Sequence, residues 1–230
     1  MGYDEKSALG YLTTGGSSAS MNALIMARLN RLKGYDFSKV TGYMSSEAHH
    51  CLAKAWVMLG FKKENLRLVK AHHFKMDLEI LKKQIEADRK SGFTPFFLVA
   101  TAGSTKTGNI DKLDELADIA KNENLWLHVD GAYGALFMLT NKGRTLLKGI
   151  NRADSIALDP HKALSIPYGT GCLLVKQGSC MKVDYLSDDS YMPPTPSMGE
   201  HDYADITPEL SRDYRGLRVW LPIKTLGIAP

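Results

Sequence analysis

The chain has 230 residues, 44% apolar and 23% charged, which excludes general disorder and leaves ample material for a core. Lysine and arginine number 29 against 25 acidic residues, a net charge of +4 spread along the chain, and without a basic block nucleic-acid binding gains no support. Three scattered cysteines, Cys51, Cys172 and Cys180, form no CxxC pair; they argue against a disulfide framework and point to a reducing compartment, the cytoplasm. No apolar run has the length of a signal peptide or a membrane span, and Lys6 breaks the myristoylation pattern. The length suits one large domain or one and a half smaller ones.

In chain order, the first feature is Thr13-Thr-Gly-Gly-Ser-Ser-Ala-Ser20, running into a helix predicted over 19–32. Small residues let a backbone close on an anion, hydroxyls donate to it, and a helix N-terminus offers free N–H groups. A phosphate cradle and a serine-rich N-cap fit this segment about equally. A strand over 40–44 precedes a helix over 47–59, with His49 and His50 at the junction, where His49 can face a ligand. A strand over 66–69 leads to a connector in which His72 and His73 are solvated. Neither histidine doublet has the further ligands a zinc site needs. Leu78, Leu81 and Ile85 share one face of a helix over 77–91, and a strand follows over 96–101. Gly103 to Gly108 has Walker spacing, but Asn109 stands where the lysine is required. Leu113, Leu116, Ala117 and Ala120 predict another amphipathic helix.

The strand over 125–129 ends in Asp130, followed by Gly-Ala-Tyr133. A carboxylate there is either a ligand group at the sheet edge, in need of a cation, or a helix N-cap. The strand over 155–158 ends in Asp159-Pro-His-Lys162. A lysine in that position is a candidate nucleophilic amine, although a surface lysine is the more frequent case. A last strand covers 172–175. Residues 177–208 carry prolines at 193, 194, 196 and 208 and read as a long irregular loop; a helical pattern resumes near Leu210. The alternation predicts an α/β fold with a mostly parallel sheet sandwiched by helices, its chemistry at the carboxyl ends of the strands.

Taken together, TTGGSSAS, SSEAHH (45–50), VATAGSTKTGNID (99–111), LWLHVDGAYG, ADSIALDPHK and LSRDYRGLRVW (210–220) resemble the group II pyridoxal-phosphate-dependent amino-acid decarboxylases, in order and over nearly the whole chain. The resemblance implies the large domain of fold-type I pyridoxal-phosphate enzymes over 1–176, lacking its N-terminal segment. A mobile loop over 177–209 and the start of a helical segment over 210–230, leading to a missing C-terminal domain, would follow. It implies that Lys162 carries pyridoxal 5'-phosphate covalently, Asp130 pairs with the pyridine nitrogen, and His49 stacks on the ring, with Ala132 beneath it. Gly16, Ser17 and Thr105 would hold the phosphate, with Ser104, Asp159 and His161 nearby. Tyr203 would reprotonate the substrate carbon from the loop, with Tyr185 and Tyr191 as competitors. Asp159, Ala163 and Ser18 depart from the residues frequent in the family (asparagine, tryptophan and glutamate), which bears on the substrate more than on the cofactor. The implied reaction is decarboxylation of an L-amino acid, aromatic substrates weakly favoured, by a homodimer without nucleic-acid or membrane partners. Aldehyde synthesis, transamination, desulfurisation and an inactive fragment are the alternatives.

Overall fold

The two alternating periods resolve into a seven-stranded sheet and the helices that cover it. The computed structural model describes residues 1–34, 36–181 and 203–227. Its elements are β1 (Leu9–Thr13), α1 (Gly16–Arg31), β2 (Val40–Ser45), α2 (Cys51–Met58) and β3 (Leu66–Val69). A small hairpin, β4 (Ala71–His72) and β5 (Lys75–Met76), then precedes α3 (Leu78–Lys90). Next come β6 (Thr94–Thr101), α4 (Leu113–Asn122), β7 (Trp126–Asp130), α5 (Asn141–Leu146), β8 (Ser155–Leu158), α6 (Pro160–Ala163) and β9 (Gly171–Val175). Two further helices are α7 (Tyr203–Ile206) and α8 (Arg215–Leu226).

The strand order is β1-β9-β8-β7-β6-β2-β3. The pairings from β8 through β3 are parallel, and β9 is antiparallel to both β8 and β1. Two antiparallel steps return β1 to the direction of β8, so its carboxyl end points to the same edge as those of β2, β6, β7 and β8. The core is layered on both faces. Phe97 and Val99 of β6 pack with Ala23, Met26 and Trp56 of α1 and α2, whereas Leu98 and Ala100 pack with Leu81, Ile85, Leu116 and Ile119 of α3 and α4. Consecutive residues of one strand therefore serve opposite layers, as a sheet buried on both sides requires.

Several boundaries differ from the sequence reading. β1 was not expected; its partner β9 lies more than 150 residues away, and nothing local marks LGYLT as an edge strand. α2 begins at Cys51 rather than 47, because Ser45 organises a turn: its hydroxyl accepts from Glu47 N–H at 3.1 Å and its carbonyl from Ala48 N–H at 3.0 Å. α8 begins at Arg215 rather than near Leu210, since Arg215 is buried and its guanidinium reaches back to Glu209 at 3.1 Å. The stretch over 177–209 is helical at its described ends, with a 3-10 turn over Gly178–Met181 and α7 at Tyr203–Ile206. Tyr185 and Tyr191 lie outside the described residues. His72 and His73 are exposed at the β4–β5 hairpin, as expected.

Candidate active site

A cavity of about 300 Å³ opens at the shared carboxyl edge. Five segments contribute: the loop from β1 into α1 (Thr14 to Ser18), His49 and Cys51 after β2, and Thr101 with Gly103 to Thr105 at the end of β6. Asp130, Ala132 and Tyr133 after β7, and Asp159, His161 and Lys162 after β8, complete it. Of the residues that the resemblance assigns to the cofactor or to catalysis, all but Tyr203 line it. That residue opens α7 half-exposed, its ring 5.2 Å from the Arg212 guanidinium.

The α1 end of the cavity suits an anion. Gly15 is the N-cap, no side chain caps the helix, and the first-turn N–H groups are left for a ligand. Gly16 is needed for close approach: a Cβ there would stand 2.8 Å from Ala132 Cβ and 2.9 Å from Asp159 Oδ2. Gly103, at φ +94°, turns the chain after β6 so that Ser104 and Thr105 reach the rim. Asp111 fastens the far end of that turn by accepting from Thr101 N–H at 2.8 Å and Met76 N–H at 2.7 Å.

At the other end, Asp130 is 7% exposed, and its Oδ1 accepts Ala132 N–H at 3.2 Å. Burial raises its pKa, against the opposing pull of that N–H and of the Lys162 and His49 charges. It is a desolvated carboxylate that a cation in the cavity would stabilise. His49 Nδ1 accepts Cys51 N–H at 3.3 Å, which fixes the neutral tautomer with its proton on Nε2. Burial, then the neighbouring His50, lower its pKa. Pro160 starts α6 at a position that needs no N–H donor, and one turn brings Lys162 back over Asp159, Nζ to Oδ2 at 3.0 Å. Lys162 is 42% exposed, so its amine is reachable from the cavity mouth.

Two buried oxygens here, Thr101 Oγ1 and Asp159 Oδ1, have no hydrogen-bond partner among the described residues. Together with the uncapped helix and the Gly16 cradle they fit a phosphorylated, hydrogen-bonding ligand better than an empty apolar pocket. The sequence reading missed Thr101 and Cys51. Thr101 was detectable in principle, since it ends β6 and lies in register with Asp130. Cys51, directly after the histidine doublet, carried no signal of its own. Beneath the site, fully buried His128 joins Ser155 Oγ on β8 (2.9 Å) to Ser20 Oγ on α1 (3.2 Å), tying the cradle helix to the strand that carries Asp130.

An α/β sheet with an amine, a buried carboxylate and an uncapped helix N-terminus at one edge is suited to a phosphorylated ligand. Residues 2–229 match the family described as "Pyridoxal-dependent decarboxylase conserved domain", and the chain belongs to that family. Among curated relatives, the aromatic-L-amino-acid decarboxylase of Bacillus atrophaeus is 40% identical over 97% of this chain and 47% of its own length. The human acidic amino acid decarboxylase GADL1 is 36% identical over 95% of this chain and 44% of its own. Oryza sativa TDC, solved with PLP and tryptamine, superposes with a TM-score of 0.90 at 27% identity over 96% of this chain and 48% of its own. The chain thus spans about half the length of the relatives it matches. The family's cofactor is pyridoxal 5'-phosphate, and the donors just described fit it. Among the described residues, no helix is long and apolar enough to cross a membrane.

Proposed function

We propose that the chain carries the cofactor-binding part of an amino-acid decarboxylase, a carboxy-lyase that releases an amine and carbon dioxide. The observation that carries this reading is the convergence of Lys162 and Asp130 on one cavity whose far end is the uncapped α1 N-terminus. When bound, pyridoxal 5'-phosphate supplies the electron sink for the pair left as the carboxylate departs.

The chain's own residues do the rest. Gly16, Ser17, Ser104 and Thr105 hold the phosphate, with Asp159 and His161 beside it. Lys162 would supply the amine that holds the cofactor. Asp130 holds a proton at the pyridine nitrogen, and that pairing offsets the cost of its own burial. His49 and Ala132, which both line the cavity, would hold the cofactor ring between them and so orient a bound substrate. Tyr203 returns a proton to the substrate carbon. Among the described residues it does not line the cavity of its own chain, and a homodimer in which it serves the cavity of a second copy is part of the proposal. The cytoplasm is the proposed location, in keeping with three unpaired cysteines.

Aromatic amino acids are the favoured substrates, given the identity to the Bacillus protein. Assay of an aromatic and acidic amino-acid panel, with the amine quantified, tests the reading. Amine from an aromatic member supports it, whereas aldehyde with ammonia and no amine would mean aldehyde synthesis on the same scaffold.

A further inference from the structure

Three arginines follow α7 in the sequence, and one of them is used differently from the others. Arg215 pairs with Glu209 at 3.1 Å, and Arg218 pairs with Asp213. Among the described residues Arg212 forms no ion pair. Its guanidinium instead lies 5.2 Å from the ring centre of Tyr203 and 5.7 Å from that of Tyr11. Its Nε is buried with no acceptor among the described residues. A cation placed in this way gives up water for the faces of two phenol rings, an attraction that reaches to about 6 Å.

The contacts run on in both directions. Toward α7, an Arg212 N–H donates to Thr207 Oγ1. That buried hydroxyl in turn donates to the Tyr203 carbonyl at 2.7 Å, with the Glu209 carbonyl at 2.9 Å. Arg212 thus meets Tyr203 twice, at its ring directly and at its carbonyl through one hydroxyl. Toward the sheet, Tyr11 is a buried residue of β1. Two residues further on, Thr13 Oγ1 donates to the Gly15 carbonyl at 3.0 Å and shapes the turn into the α1 cradle. Ile206 of α7 is buried in the same core layer as Tyr11. A half-exposed tyrosine on a helix of 4 residues is therefore fastened to the strand that delivers the cradle, and Arg212 spans the two.

A phenol that serves the cavity of a second copy has to be held by its own chain. On the reading that Tyr203 returns the proton to the substrate carbon, we propose that Arg212 is its positioning residue. In that reaction the bond to the carboxylate breaks and carbon dioxide leaves. The electron pair left behind takes a proton from the phenol O–H, and solvent restores it. Breaking the bond needs the substrate and the cavity; only the second half needs Tyr203 in place. Arg212 therefore governs protonation and leaves carbon dioxide release alone.

Two measurements test this, one of them without the cofactor. In the cofactor-free chain, Arg212→Met should speed hydrogen–deuterium exchange over 203–210 about tenfold and leave α1 and β6 unchanged. The second uses the chain loaded with pyridoxal 5'-phosphate, in oxygen-free buffer, so that the site turns over again only through protonation. The probe is carboxyl-labelled L-tryptophan, L-tyrosine or L-phenylalanine, whichever gives the most amine. In Arg212→Met the first-turnover burst of labelled carbon dioxide should stay within about threefold of wild type, while amine formation falls about 30-fold. Tyr203→Phe should show the same split, and adding Arg212→Met to it should cost little more. Thr207→Val cuts the link to the Tyr203 carbonyl but keeps the guanidinium, and should lower amine formation about fivefold with carbon dioxide release unchanged. It decides the matter if Arg212→Met does not fold. Unchanged exchange, an equal fall in carbon dioxide and amine, or full additivity with Tyr203→Phe would overturn the proposal. If Tyr203→Phe shows the split and the other variants do not, the role of Tyr203 stands and this proposal alone fails. If Tyr203→Phe forms amine at the wild-type rate, or the wild type forms none, the underlying reading fails and takes the proposal with it.

Discussion

Two buried carboxylate clusters sit on the same sheet and are finished very differently. Asp88 of α3 accepts Tyr43 OH at 2.7 Å and takes Arg67 through both oxygens, while Thr41 Oγ1 pairs with Tyr43 OH at 3.0 Å. Its hydrogen-bonding capacity is met from within the protein, and it joins α3 to β2 and β3. Asp130 and Asp159 are buried as deeply at the carboxyl edge. There one carboxylate has its pKa pushed up by desolvation, and the other has an oxygen with no partner among the described residues. A satisfied cluster holds the fold together; an unsatisfied one is complementary to something that is not protein.

That contrast can be broken experimentally, and the largest effect belongs to the open cluster. Lys162→Ala should abolish covalent attachment, seen as loss of the borohydride-sensitive absorbance, and lower turnover at least ~10³-fold. Retention of both would remove Lys162 from its role. Asp130→Asn should lower turnover ~10²-fold or more, yet leave the thermal midpoint unchanged or higher, because it removes a desolvated charge. A clear loss of stability would mean that Asp130 is structural like Asp88. Asp88→Ala should do the converse, costing about 3 kcal/mol in urea unfolding by stranding Arg67 and Tyr43. The folded variant should keep its cofactor affinity.

A smaller effect comes from His128, which lies between the two regimes, buried and hydrogen-bonded beneath the site. Burial lowers its pKa to about 3. Because the unfolded chain binds its proton near pH 6.5 and the folded one does not, the associated stability is present in full above that value. It is lost progressively as pH falls toward 3. The buried carboxylates Asp111, Asp130 and Asp154 have raised pKa values and act in the opposite sense as pH rises past their unfolded values. The readout is therefore the difference in urea midpoint between wild type and His128→Gln, which should shrink between pH 7 and pH 4.5. A constant difference would rule out proton linkage at His128. Smallest of all, His72→Ala at the exposed hairpin should shift stability by less than about 0.5 kcal/mol and leave cofactor binding alone.

The two clusters were not equally legible in the sequence. The strands over 66–69 and 155–158 were readable to the residue, because short apolar runs between polar punctuation have few other interpretations. The open cluster was readable too, since its groups follow strand ends and Asp159 precedes Lys162 by one helical turn. Asp88 was invisible. It is one of many polar residues on an amphipathic helix, and its phenol partner lies 45 residues earlier. Edge strand β1 and the late start of α2 escaped for related reasons, one depending on a distant partner and the other on a single serine hydroxyl that bends the chain.

Cys51 adds a further consequence. Its thiol borders the same cavity as Lys162, and burial, with Asp130 adding to it, pushes its pKa up to about 12. At neutral pH only on the order of one molecule in 10⁵ would carry the thiolate, the form that attacks carbonyl carbon. An aldehyde entering this cavity would therefore meet an amine and a thiol, and burial keeps the thiol in its protonated, less nucleophilic form.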